Sequence, residues 1–160
     1  MQRIGWLSSL TVGTALVLWS GPVAAQVKPH AYDSAYHAMQ MRGRIVMGVD
    51  QYTSKHQFED LSDGGRIELQ RDRDDPVGTA AIRAHLKSIT HAFQKGDFTA
   101  PVAVHMKQVP GASEMAARKS TIRYVYRELP RGGEVRISTK DAQALQAVHK
   151  FLAFQRSEHH

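Results

Sequence analysis

The fold is decided by a pattern that occurs twice in the chain, as HQFEDLSDGGRIEL (residues 56–69) and as YVYRELPRGGEVRI (residues 124–137). In each copy, apolar and polar residues alternate on both sides of a Gly-Gly pair. Such alternation around glycines is typical of two antiparallel strands joined by a tight turn. Glycine adopts the positive φ values that these turns need, so we predict that the Gly-Gly pairs form the turns. The sequence therefore predicts two β-hairpins related by internal duplication.

A helical pattern follows each hairpin. The first helix is predicted from about Pro76 to Phe93, because proline suits the first turn and Gly96 follows the end. The second begins near Asp141, a good N-cap. Their apolar stripes are Ile82, Leu86, Ile89 and Phe93 in the first helix and Leu145, Val148 and Leu152 in the second. These elements predict an α+β fold in which the two hairpins form one antiparallel sheet with the helices packed on one face.

The N-terminal residues 1–25 have the features of a cleavable signal peptide. Arg3 provides the positive charge, an uncharged apolar stretch follows, and Val23-Ala24-Ala25 gives the small residues of a cleavage site. The apolar stretch is shorter than a membrane-spanning helix requires. We therefore expect an exported protein of the periplasm or the secreted fraction, with no membrane span once the signal is removed.

The exported part divides into two regions. Residues 26–43 are predicted as an N-terminal tether and a short helix that ends at Gly43, and residues 44–160 as a single α+β domain. The repeat halves of that domain cover about 56–95 and 121–156. Residues 44–54 suit either a strand or an irregular buried segment. In the connector between the halves, the alternation over residues 102–106 allows a short strand.

Composition excludes several classes of function. The absence of cysteine removes thiolate catalysis and cysteine-ligated metal sites. The formal net charge is +6, but the basic residues are scattered and mixed with acidic ones, as in residues 70–75. Nucleic-acid binding proteins instead show a basic patch or stripe, so we expect no nucleic-acid partner. The sequence leaves open whether the chain forms a homo-oligomer.

Histidine is the residue type that points to a ligand. By periodicity, four of the nine histidines face the apolar side of their elements: His56, His85, His105 and His149. If both helices cover one sheet face, these side chains converge. Imidazoles bind zinc or copper, and the Met106 sulfur next to His105 adds a soft donor. The alternative is that the four histidines are structural. His159 and His160 are set aside because they end the chain.

The signals for an enzyme are weaker. Asp50 lies six residues before His56, which makes a histidine–carboxylate pair conceivable. The chain has no G-x-S-x-G motif and no phosphate-binding loop, since its Gly-Gly pairs belong to the hairpins. We therefore predict no catalytic residues and favour a protein that is not an enzyme.

Several segments resemble a family of small exported bacterial proteins. They include MGVDQYTSKHQF (47–58), DGGRIELQRD (63–72), IRAHL (82–86), GDFTAP (96–101) and AVHKFLAFQ (147–155). Members of this family are mostly uncharacterised, and some carry the label aspartate carbamoyltransferase. The resemblance covers nearly all of the exported part and implies export, but it implies no definite activity.

These observations predict an exported periplasmic binding protein. In the most specific version of this prediction, the protein coordinates a transition metal, copper or zinc, through the four histidines. The first alternative is a non-catalytic module that binds a protein or a small ligand through its sheet or edges. The second alternative is an enzyme that uses a histidine–carboxylate pair.

Overall fold

The computed structural model describes residues 31–48 and 50–159. The predicted signal peptide and the start of the predicted tether lie outside these residues. Within the described part, no helix combines the length and the apolar character needed to cross a membrane.

The two repeated stretches form β-hairpins. Strand β1 (Ser54–Leu61) pairs with β2 (Gly64–Arg71), and β3 (Ile122–Leu129) pairs with β4 (Gly132–Thr139). β2 and β4 pair with each other, so the strand order is β1-β2-β4-β3 and all pairs are antiparallel. The predicted antiparallel sheet from two hairpins is confirmed.

The Gly-Gly pairs do not form the turns, and that prediction was wrong. The two-residue turns are Ser62-Asp63 and Pro130-Arg131, and the glycines begin β2 and β4. These glycines instead allow neighbouring backbone and side chains to approach the strands closely. A Cβ at Gly132 would overlap the backbone of β2 at Leu69, because β2 and β4 meet there. Glycine is therefore required by crowding at the centre of the sheet.

The two principal helices begin where their caps predict. α2 (Pro76–Gln94) starts at Asp75, whose carboxylate accepts a hydrogen bond from the Gly78 amide. α5 (Ala142–Glu158) starts at Asp141, which accepts from the amides of residues 143 and 144. Each carboxylate satisfies amides that have no partner within the helix.

Each principal helix covers the hairpin of the other repeat. α2 packs mainly on β3 and β4, whereas α5 packs mainly on β1 and β2. The glycines mark both contacts, since a Cβ at Gly65 would meet Leu152 of α5 and one at Gly133 would meet Leu86 of α2. Burial of both leucines is complete. The core therefore lies between one face of the sheet and the two helices.

The segments outside the repeats are more helical than predicted. α1 (Ala31–Met47) continues past Gly43, so the expected end at that glycine was wrong. Glycine inside a helix costs about 1 kcal/mol relative to alanine. The packing of α1 against α3 (Thr99–His105) compensates for this cost at Gly43. α3 replaces the short strand predicted over residues 102–106, because Pro101 fits the first turn of a helix. α4 (Ala112–Ala117) completes the connector.

The opposite face of the sheet is charged. Arg66 contacts Glu59 at 2.6 Å and Glu134 at 3.6 Å, and Arg127 approaches Glu134 at 3.5 Å. Alternate side chains of a strand lie on opposite faces, so this charged network and the core share the same strands. The apolar face of the sheet is therefore the one that the helices cover.

Candidate functional site

A cavity of about 60 Å³ lies between the helices and the first hairpin. Most of its wall is apolar, formed by Val46, Met47, Phe58, Ile67, Ile89, Phe93, Ala100, Pro101, Val104 and Phe151. Its polar lining consists of His56, His85, His105, Gln155 and His159. These side chains come from β1, α2, α3 and α5, so the packing of the repeats creates the site. We call it the histidine cavity.

His56 is the polar residue that the sheet contributes. It shares a face of β1 with Phe58, and the two ring centroids are 4.2 Å apart. Its Nδ1 atom is buried and has no hydrogen-bond partner among the described residues. Burial is the main cause that lowers the pKa of His56 well below 6.5, and His159, His85 and His105 lower it further. The imidazole is therefore neutral at pH 7 and has one buried nitrogen available to a ligand.

His85 lies on α2, at the edge of the apolar stripe, as predicted. Burial lowers its pKa to about 4, against a smaller opposing effect of a hydrogen bond with the Val46 backbone. Val46 belongs to α1, so His85 connects the N-terminal helix to α2. This second imidazole is also neutral at pH 7.

His105 ends α3 and is buried. Its Nε2 lies 3.0 Å from Oε1 of Gln155. A carbonyl oxygen only accepts, so Nε2 donates and the lone pair of the neutral ring is on Nδ1. That Nδ1 has no hydrogen-bond partner in the described chain, and Glu158 Oε2 is 3.7 Å away. Burial is the largest cause that lowers the pKa of His105, although Gln155 and Glu158 oppose it.

His159 joins these residues from the end of α5. Its ring centroid is 5.2 Å from that of His56 and 5.2 Å from that of His105. Sequence reasoning missed both His159 and Gln155. A signal was present, since Phe151, Gln155 and His159 follow one another at intervals of four and so share one face of a helix.

Three of the four predicted ligand histidines line the histidine cavity, but His149 does not. Its Nε2 lies 3.0 Å from the Leu61 carbonyl and 3.0 Å from the Gly64 carbonyl, at the turn of the first hairpin. Met106 also lies elsewhere, because its side chain is 72% exposed after the end of α3. Met47 is the methionine that reaches the cavity wall.

Asp50, the carboxylate suggested for an enzyme, serves a turn. Its Oδ1 accepts from the Tyr52 amide and its backbone carbonyl accepts from Ser54. Asp50 does not line the histidine cavity. The histidine–carboxylate pair that the described residues provide is His105 with Glu158.

Across residues 31–48 and 50–159, no three histidine, aspartate or glutamate side chains stand in positions from which they could hold a metal ion. Comparisons with protein-family models, with curated proteins and with solved structures gave no match to this chain. The resemblance to a family of exported proteins therefore stays a prediction.

Proposed function

We propose that this chain is an exported binding protein that takes a transition-metal ion in the histidine cavity. The ligands are His56, His105 and His159, with His85 beside them and Glu158 as a carboxylate donor. The observation that carries this proposal is the position of the His159 ring, 5.2 Å from the rings of both other histidines.

The ring separations suit a shared ion. With a zinc–nitrogen distance of about 2.0–2.1 Å, two imidazoles on one tetrahedral zinc have centroids roughly 5 Å apart. Both centroid distances of His159 have this value. Binding then requires the rings to turn their nitrogens towards one centre, since the side chains do not enclose an ion as they stand.

The protonation of the histidines also favours a metal. Only a deprotonated imidazole nitrogen can coordinate, so metal binding competes with protons. Burial lowers the pKa of His56, His85 and His105, and no proton has to be displaced at neutral pH. The cavity therefore presents imidazoles in the form that metals bind.

Two bases face each other at the edge of the cavity. The Nδ1 atom of His105 and Oε2 of Glu158 are 3.7 Å apart, which is longer than a hydrogen bond. A nitrogen and an oxygen on the same tetrahedral ion are separated by roughly 3.3 Å. A cation between the two atoms would relieve the repulsion of their lone pairs. Gln155 supports this arrangement because it holds the His105 ring in the required tautomer.

The donor set favours zinc or copper among the transition metals. Imidazole suits both ions, and a carboxylate favours zinc. The thioether of Met47 in the cavity wall would instead favour copper(I). We therefore expect the cavity to bind zinc or copper. Magnesium is the negative control, because it is a hard cation that nitrogen ligands do not select.

Competition with a chromophoric chelator tests this function on tag-free protein. Substitutions of metal-site ligands or their supports commonly weaken metal binding by about 10–100-fold. We expect such a loss in His56→Ala, His105→Ala and His159→Ala. His149→Ala and His91→Ala are matched controls, because His149 bonds the hairpin turn and His91 is exposed on α2. A protein that binds neither ion, or an equal loss in His149→Ala, would overturn the proposal.

A small organic molecule is the second candidate ligand. The observation that favours it is the apolar and aromatic character of most of the cavity wall. Ligand sites of this kind combine apolar walls with a few polar groups, here the neutral imidazoles. Thermal unfolding of metal-free protein with phenol as the probe separates the candidates. Stabilisation by phenol together with no response to zinc or copper would favour the organic ligand.

A further inference from the structure

A second cavity lies on the other side of His105. Its volume is about 240 Å³, and we call it the outer cavity. Its lining consists of Ala35, Tyr36, Met39, Arg42, His105, Lys107 and Glu158. His105 is thus a wall shared by both cavities, while α1 supplies the opposite side of the outer one.

The charged lining of the outer cavity has an excess of positive charge. Lys107 Nζ contacts Glu158 Oε1 at 2.9 Å, which uses one of the three donors of its ammonium group. Arg42 donates from Nε to the Val104 carbonyl at 2.7 Å, which fixes the plane of the guanidinium. No described residue accepts from the terminal nitrogens of Arg42. Arg42 itself lines the outer cavity.

We infer that the outer cavity binds a small organic anion through a carboxylate group. An arginine guanidinium pairs with a carboxylate in a bidentate manner, and such pairs are stronger than neutral hydrogen bonds. Lys107 adds a second cation at the same rim, while Ala35 and Met39 offer apolar contacts to the carbon chain. A short dicarboxylate matches this combination. The anion site does not depend on metal in the histidine cavity.

The two cavities are coupled if the proposed metal site exists. Arg42 and Lys107 line the outer cavity together with His105, so their positive field reaches its ring. The same positive field opposes a metal ion at His105. A bound carboxylate cancels part of this field, so the anion and the ion should each strengthen the binding of the other. This coupling rests on the proposed function, whereas anion binding alone does not.

Calorimetry and amide NMR titration with succinate test the anion site on metal-free protein. A chelating resin removes the metal, because EDTA is itself a polycarboxylate. We expect succinate to bind, with shift changes in residues 35–42 and 105–107. Arg42→Gln and Lys107→Gln should each weaken binding at least about tenfold, the size of a typical charge-assisted contact. Arg44→Gln, an exposed position on α1, should leave binding unchanged.

The outcomes separate the two proposals. Absence of succinate binding, or equal weakening by Arg44→Gln, overturns the anion site. Inorganic phosphate is the second probe, and tighter binding of phosphate than of succinate overturns the assignment to a carboxylate. Zinc then tests the coupling, since succinate should bind more tightly to zinc-loaded protein. Succinate binding with no zinc binding leaves the anion site supported and the proposed metal function refuted.

Discussion

The ring of His159 lies 5.2 Å from the ring of His56, so the end of the last helix meets the first strand of the sheet. Both rings line the histidine cavity. Helix ends open locally at lower free energy than the helix centre. The last turn of α5 is therefore the part of the site where a ligand can enter with the least disturbance of the core.

The stability of the protein should fall as the pH falls from 6.5 to 4.5. His85 has a pKa of about 4 in the fold and about 6.5 when unfolded, so the unfolded chain binds more protons in this range. One pKa unit corresponds to 1.36 kcal/mol, and the loss from His85 reaches about 3 kcal/mol by pH 4. Urea unfolding at several pH values measures it. His85→Gln should flatten the dependence, and an unchanged slope would contradict the assignment.

His149→Ala should destabilise the fold without weakening metal binding. The imidazole Nε2 lies within hydrogen-bond distance of two carbonyls at the first hairpin turn, and its removal leaves these acceptors without their donor. We expect a loss of roughly 1–3 kcal/mol in the free energy of unfolding. His91→Ala serves as the exposed control. A variant of unchanged stability would mean that this bond to the turn contributes nothing.

Gly65→Ala should also destabilise the fold. A Cβ at this position meets the Leu152 side chain and the Glu59 carbonyl, so the helix and the strand must separate. Overpacking of a core costs typically 1–3 kcal/mol. Ser62→Ala in the exposed turn should stay within about 0.5 kcal/mol of the parent. Equal urea midpoints for both variants would show that the glycine is not required by packing.

Gln155→Leu should weaken metal binding through His105. The amide oxygen of Gln155 keeps the proton on Nε2, and its loss allows the other tautomer, in which Nδ1 is protonated. We expect about a tenfold loss of zinc affinity. Nitrogen-15 NMR of the imidazoles should show the change of tautomer, which a merely structural role would not cause. Gln146→Leu, exposed on the same helix, is the control.

The hairpins and the principal helices could be predicted because their signals are local. Alternation, the Asp75 and Asp141 caps and the apolar stripes depend on neighbours in the sequence. The role of the Gly-Gly pairs was predicted wrongly, because the crowding at Gly65 comes from a helix of the other repeat. No local pattern reports which hairpin a helix will cover.

The site was partly predictable for the same reason. Periodicity placed His56, His85 and His105 on inward faces, and all three line one cavity. His149 has equivalent spacing on α5, but the position of that helix over the sheet brings it to the hairpin turn. His159 was set aside as a chain end, although α5 carries it back to β1. The position of α5 on the sheet decides where His149 and His159 lie, and this position follows from tertiary packing.

X-ray absorption of the zinc-loaded protein tests the central claim most directly. We predict a first shell with at least three nitrogen or oxygen donors at about 2.0–2.1 Å and the multiple-scattering pattern of imidazole. His159→Ala should lose one imidazole from that shell, while His91→Ala should keep the full set. A shell with fewer than three imidazoles, or one that His159→Ala leaves unchanged, would contradict a metal site in the histidine cavity.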